Sequence, residues 1–451
     1  MISVLYTIIS FIVAISILIA FHEFGHYWVA KRLGVKVLRF SIGFGKPIWR
    51  KVAGADKTEY VIAALPLGGY VKMLDEREGD VPEDERHRAF NRQPIWKRFS
   101  IVFAGPAFNI LLAILAYLSV ALVGTSGLKP VIGLVMPGSP AAVAGLESGM
   151  QIVSVDGWST PTWDTVFQEA LPNLVEKSEL RVKAKFENGI EHDYELNLSG
   201  LNLDKDIQQP FKAMGIRLFN LPPVIGKVAD GTPAEKAGLK PGDRIIQIDN
   251  QPILDWMDIS DYVLSRPGQE MKVLVKRDNE EMSFNVRAAS KKIRGREIGQ
   301  LGIGGNAFKL DDKDRAEFKL GVFDGIAYSI HRTWDVAYVT LRVLGLIATT
   351  KMSLTNISGP INIAVTAGES ASLGLDRYII FLALVSISLG ILNLLPIPIL
   401  DGGHLMYYVY EFVRGKPVSE KVEIIGQRIG IALLMMLMAL AFYNDIMRYF
   451  H

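Results

Sequence analysis

Hydrophobic positions in this chain are gathered into long runs rather than spread evenly. Met1–Phe21 carries no charged residue over 21 positions, Ile101–Gly124 none over 24, and Tyr378–Leu400 none over 23. As helices, each is long enough to cross about 30 Å of hydrocarbon. Ile429–Asn444 is uncharged for 16 residues, just under the usual minimum, and is read as a fourth span. Gly321–Thr350 is apolar at helical spacing but interrupted by Asp324, His331, Arg332, Asp335 and Arg342. That pattern predicts an amphipathic helix on the outer membrane surface or against the spans. No basic residue precedes Lys31, so the first run lacks the n-region of a cleaved signal peptide.

Charge orients these spans. The segment from Lys31 to Ser100 holds fifteen Lys and Arg residues, and Arg414, Lys416, Lys421 and Arg428 follow the third run. Basic loops stay on the cytoplasmic side. The N-terminus is therefore expected outside, together with residues 125–377. Over the whole chain, 49 Lys and Arg nearly balance 47 Asp and Glu, which gives no reason to expect nucleic acid as a partner. The absence of cysteine rules out a disulfide scaffold, a thiol nucleophile and an iron–sulfur site.

The outside region repeats itself. Val131-Ile132-Gly133 recurs as Val224-Ile225-Gly226, and Gly138-Ser139-Pro140-Ala141 as Gly231-Thr232-Pro233-Ala234. Ala144-Gly145-Leu146, Asp156 and Trp163 return at the same offset as Ala237-Gly238-Leu239, Asp249 and Trp256. A period that long suits two tandem small domains rather than a solenoid. The first copy departs from the Gly-Asp-x-Ile part of the pattern, with Met150 where the second has Asp243. The shared pattern resembles the PDZ domains of bacterial proteases. Met214-Gly215-Ile216 and Leu301-Gly302-Ile303, which close the two copies, look like PDZ carboxylate-binding loops. Such a groove takes an extended peptide as an added strand.

The chemistry sits where span one ends, at His22-Glu23-Phe24-Gly25-His26. Residues four apart share a helix face, so both imidazoles can address one ion with Glu23 beside it. Ionisable side chains at a span are costly unless they face protein or a water-filled cavity. Catalytic zinc needs a third protein ligand and one open position. Spans one and three run in the same direction, so the end of span three arrives at the same depth. Asp401 stands there, with His404 three residues on as the competing ligand. Pro396 and Pro398 break the helical ladder just before it. Asn393 in the same stretch can both donate and accept hydrogen bonds.

His-Glu-Phe-Gly-His in the first span and Asn393-Leu-Leu-Pro-Ile-Pro-Ile-Leu-Asp-Gly-Gly-His404 in the third together resemble the site-2 protease family of intramembrane zinc metalloproteases. Phe40-Ser41-Ile42-Gly43-Phe44-Gly45, Pro66-Leu67-Gly68-Gly69-Tyr70, Gly105-Pro106-Ala107-Phe108-Asn109 and Ser358-Gly359-Pro360-Ile361 also match its patterns. The pair of PDZ domains is similar to that of its gammaproteobacterial sigma-E regulator members.

The resemblance implies a multi-pass α-helical membrane protein with four transmembrane helices, a membrane-associated β element and two periplasmic α/β PDZ domains. The expected segments are 1–124 with the β element at 36–75, PDZ domains at 127–220 and 221–308, a periplasmic amphipathic connector at 309–377, and a C-terminal membrane part at 378–451. It further implies one catalytic Zn2+ held by His22, His26 and Asp401, with Glu23 as general base and acid. Asn393, Pro396, Pro398, Gly43, Gly45 and Tyr70 would hold substrate. Implied substrates are single-span membrane proteins of the anti-sigma factor type, cut after a first protease has trimmed them, and signal peptide remnants. The expected setting is a monomer in the lipid bilayer of the bacterial inner membrane, with the active site near the cytoplasmic side. Two other readings use the same residues: a general membrane zinc protease for misfolded proteins, and a PDZ scaffold with a vestigial metal motif.

Overall fold

A computed structural model describes residues 2–186, 188–202, 209–293, 296–306 and 311–450. The chain groups into two compact units, Met1–Thr125 with Phe318–Asp445, and Ser126–Glu317 with the C-terminal end.

The first unit is built on helices α1 (Ile2–Arg32), α2 (Ile95–Val123), α3 (Val322–Ala348), α4 (Pro360–Leu373), α5 (Leu375–Leu394), α6 (Asp401–Arg414) and α7 (Glu420–Phe450). Among the described residues, α1, α2, α5 and α7 are long and apolar enough to cross a membrane. The expected run at Ile429–Asn444 lies inside the much longer α7, whose ends are polar and so hid its length. Likewise α1 does not stop at His26 but continues to Arg32, which places the histidines within the helix. Large apolar side chains such as Val4, Ile9, Ile429 and Met435 stay exposed on α1 and α7, as lipid-facing helices require.

Close approach between helices depends on small residues. A Cβ on Gly25 of α1 would collide with the backbone of Ala104 in α2, so these two helices touch main chain to main chain there. The helix expected over 321–350 is α3, and a second helix, α4, follows it before α5. Helix α3 lies against the spans, with Val336 in one core with Tyr117 of α2 and Ile387 of α5. Helix α4 lies on α1, where Ala367 packs with Ala14 and Leu18. Near the end of α7, buried Asp445 accepts hydrogen bonds from the backbone N–H groups of Gly359 (2.8 Å), Ile361 (2.9 Å) and Asn362 (3.0 Å). These are orphan donors of the first turn of α4, so one carboxylate caps that helix and anchors α7 to it.

Between α1 and α2 runs a two-stranded β element, β1 (Val37–Ala53) and β2 (Thr58–Met73). Both strands double back. Ser41 therefore faces both Tyr70 and Val61, while Trp49 faces Ile62. The bend in β1 falls at Gly43 and Gly45, whose φ values of 92° and 89° are left-handed and suit glycine. Residues 69–73 pair on one side, with 37–42, and form an edge.

In the second unit the sequence repeat becomes a repeat of strand order. One sheet runs Trp158–Ser159, Gln151–Val155, Glu179–Lys185, Glu191–Asn197. The other runs Gln251–Pro252, Arg244–Ile248, Glu270–Arg277, Glu280–Arg287. Each has a core of its own. Asp156 and Asp249 occupy matching left-handed turns and accept the N–H groups of Arg181 (3.2 Å) and Lys272 (2.8 Å). The Met150/Asp243 difference is accommodated in place. Asp243 accepts the Lys240 N–H at 2.8 Å, and the Met150 sulfur accepts the Glu147 N–H at 3.4 Å.

Candidate active site

Helical spacing places His22 and His26 one turn apart on α1, with their Nε2 atoms 3.2 Å from each other. The third group comes from the far end of the chain. Helix α5 ends at Leu394, where the two prolines stop the ladder, and a short irregular segment leads to Asp401 in the first turn of α6. Asp401 Oδ2 lies 3.2 Å from His22 Nε2 and 3.6 Å from His26 Nε2. The two glycines that follow are needed for this. A Cβ on Gly402 would strike the carbonyls of Leu394 and Leu395, and one on Gly403 those around Ile397.

These donors fit a zinc ion. All lie within 4.8 Å of one another. Zinc bonds of about 2.0–2.1 Å in a tetrahedron separate neighbouring ligand atoms by about 3.3 Å, which the three observed spacings bracket. Asp401 Oδ2 is buried and has no hydrogen-bond partner, as expected of an oxygen aimed at a cation position. His26 Nδ1 is 2.8 Å from the carbonyl oxygen of Ile101, to which it donates, so its Nε2 is the free end. His404 lines the same cavity, yet it is Asp401 that completes the donor group. Burial pushes the His404 imidazole down.

The site opens into a cavity of about 450 Å³. Glu23 lines it beside both histidines, and so does the edge segment from Gly69 to Met73. Gly69 is required at that contact, since a Cβ there would lie 2.8 Å from Glu23 Cγ. Tyr70 is held on the edge by a 2.9 Å hydrogen bond from Arg39 and by stacking on Phe44 at 6.2 Å. Gly43, Gly45, Asn393, Pro396 and Pro398 are not among the cavity's lining residues. The first two shape the bend of β1, and the last three lie at and after the end of α5. Met214-Gly215-Ile216 and Leu301-Gly302-Ile303 lie in the second unit. Each has glycine in the left-handed region, at φ 80° and 84°, directly before a short strand.

Sequence reasoning assigned no role to three neighbours of the site. A Cβ on Gly105 would fall onto the imidazoles of His26 and His22, so only glycine leaves room for the pair. Asn109 reaches His22 Nδ1 at 3.3 Å. Arg98 grips Glu411 at 2.7 Å and 3.2 Å, joining the start of α2 to α6. The Gly105–Asn109 motif was visible in the sequence, but its geometry was not.

Known proteins match along the whole chain. The model of peptidase family M50 covers residues 10–437. The regulator of sigma-E protease RseP of Escherichia coli strain K12 is 42% identical, over 99% of this chain and 100% of its own length. A Vibrio cholerae protein named "Putative zinc metalloprotease" is 41% identical over the same shares. The regulator of sigma E protease of Haemophilus influenzae is 40% identical, again over 99% and 100%. The chain belongs to peptidase family M50, the site-2 proteases, and is a zinc metalloprotease of the membrane.

Proposed function

We propose that this protease hydrolyses a peptide bond within the transmembrane segment of a single-span membrane protein of the anti-sigma factor type, after an earlier cut outside the membrane. Signal peptide remnants are a second substrate class. The observation that carries the reading is the meeting of His22, His26 and Asp401 at one point beside the free edge 69–73. The name of the Escherichia coli relative, a regulator of sigma-E protease, supports the substrate class.

His22, His26 and Asp401 would hold the zinc, and the cavity beside them would admit water and substrate. Zinc held there would supply Lewis acidity toward the scissile carbonyl and toward water. Glu23 takes the proton from the attacking water and returns it to the leaving amine. A helical substrate screens its own peptide bonds, so it unwinds first. The edge at Tyr70 receives the unwound segment by strand addition. Asn393 and the backbone freed by Pro396 and Pro398 steady it, while Gly43 and Gly45 shape the β element that carries the edge.

The two repeats at 127–220 and 221–308 act as periplasmic PDZ domains. They admit trimmed substrates, with Met214–Ile216 and Leu301–Ile303 as carboxylate loops. The membrane parts are 1–124 and 378–451, joined by the connector 309–377. The protein works as a monomer in the inner membrane, with the site near the cytoplasmic face.

Zinc content and cleavage of a membrane-spanning model substrate, measured on the same purified samples, test this. Glu23→Gln is expected to keep its zinc and lose activity by at least about 100-fold. His22→Phe is expected to lose both. Normal turnover by Glu23→Gln would sink the mechanism. Trapping with that variant separates a dedicated substrate from general clearance of misfolded proteins.

A further inference from the structure

The two histidines are oriented by different partners. His26 Nδ1 faces the Ile101 carbonyl oxygen at 2.8 Å. A carbonyl can only accept, so the ring hydrogen sits on Nδ1 and Nε2 offers its lone pair. His22 Nδ1 faces the side-chain amide of Asn109, whose Nδ2 end stands 3.3 Å away. An amide can present either of its two ends. With Nδ2 toward the ring, Nδ1 becomes the acceptor, and a neutral imidazole must then carry its hydrogen on Nε2. That hydrogen would occupy the metal position. With Oδ1 toward the ring, Nδ1 donates and Nε2 is free. The two orientations fill the same space and differ by half a turn about one torsion. The Oδ1 end has no hydrogen-bond partner where it now stands, so turning the amide gives up no bond on that side.

Asn109 is also held in place. It is 1% exposed. Its backbone carbonyl accepts a 2.7 Å hydrogen bond from Ser386 Oγ of α5. Gly390, on the same helix, lies against its Cβ, so that a side chain at 390 would come within 3.4 Å of it. The helix that leads to Asp401 thus buttresses the residue that faces His22.

We propose that Asn109 is the positioning residue of His22: its Oδ1 accepts the Nδ1 hydrogen and commits Nε2 to the zinc, as the Ile101 carbonyl does for His26. This rests on His22 being a zinc ligand. A metal-bound histidine whose second nitrogen loses its acceptor is free to turn and is a weaker base.

The test uses the full-length protein purified in detergent, with Asn109→Leu, Asn109→Asp and His22→Phe. Leu keeps the approximate size without an acceptor. Asp keeps the acceptor without the N–H group. Zinc affinity is read by competition with a chromogenic chelator. Geometry is read from the ligand-field spectrum of the cobalt(II) form. Asn109→Leu is expected to weaken zinc binding by about 10- to 100-fold and to shift the cobalt spectrum. Asn109→Asp is expected to bind zinc close to the parent level with a parent-like spectrum. A folded Asn109→Leu protein with parent affinity overturns the proposal. So does an Asn109→Asp protein as weak as the Leu variant, because the N–H end would then be the working one. If Asn109→Leu does not fold, the Asp variant decides by the same criterion. Parent-like zinc affinity in His22→Phe would instead remove the metal-site reading on which the proposal stands.

Discussion

Arg98 and Glu411 meet through two hydrogen bonds, at 2.7 Å and 3.2 Å, with both side chains largely out of solvent. The guanidinium also lies 5.1 Å from the centre of the Tyr408 ring. Glu411 belongs to the helix that begins with Asp401, so the pair sets how that helix stands against α2. Removing one partner leaves an uncompensated charge, at a cost of about 3 kcal/mol. Arg98→Met and Glu411→Met are each expected to lower the melting temperature and to weaken zinc binding. The double variant is expected to lose less than the two single effects added together. Thermal melts of all four proteins give the coupling, and strictly additive losses would show that the pair does not hold α6.

Gly105 is expected to tolerate no side chain, although alanine is the better helix former. Gly105→Ala pushes a methyl into the imidazoles of His22 and His26, so zinc content and cleavage should both fall sharply. Gly345, in α3, has nothing within 4 Å of a built Cβ. Gly345→Ala should keep full activity and gain about 0.5–1 kcal/mol of stability. Elemental analysis and melting curves of the two variants separate lost room from altered helix propensity.

Removal of the metal should be reversible. Dialysis against a strong chelator is expected to abolish cleavage, and added zinc to restore it. Asp401→Asn, which keeps the shape but removes the charge, should need far more zinc to recover activity. Activity that persists after zinc has been stripped to background would contradict a metal mechanism and favour a scaffold role.

The second repeat should lose stability in acid for a reason the first does not share. Burial would raise the Asp243 carboxyl, but hydrogen bonds from Arg277 at 2.6 Å and 2.8 Å and from the Lys240 N–H outweigh it and hold it below its ordinary value. A carboxyl lowered by folding stabilises the fold above its unfolded value of about 3.9 and ceases to as pH falls through the folded value. Hydrogen-exchange protection of Glu270–Arg277 should therefore decline with acid, and Asp243→Asn should flatten that decline. In the first repeat Met150 cannot titrate, so this contribution is absent from Glu179–Lys185. Identical acid profiles for the parent and Asp243→Asn would remove Asp243 as the cause.

Much of this protein could be read from order along the chain. Uncharged runs of membrane length announce spans because hydrocarbon tolerates few charges. Two histidines four apart face one way on any helix. The repeat with Met150 in place of Asp243 was plain from spacing alone. Tertiary structure decided what depends on parts remote in sequence. Asp401, rather than His404, completes the histidine pair because the chain breaks at the prolines and nests Gly402 and Gly403 against the last carbonyls of α5. Gly105 and Asn109 matter through what lies opposite them on α1, and Asp445 through a helix it caps from another element. No local pattern encodes such contacts, since hydrophobic periodicity reports which residues are buried but not which of them touch.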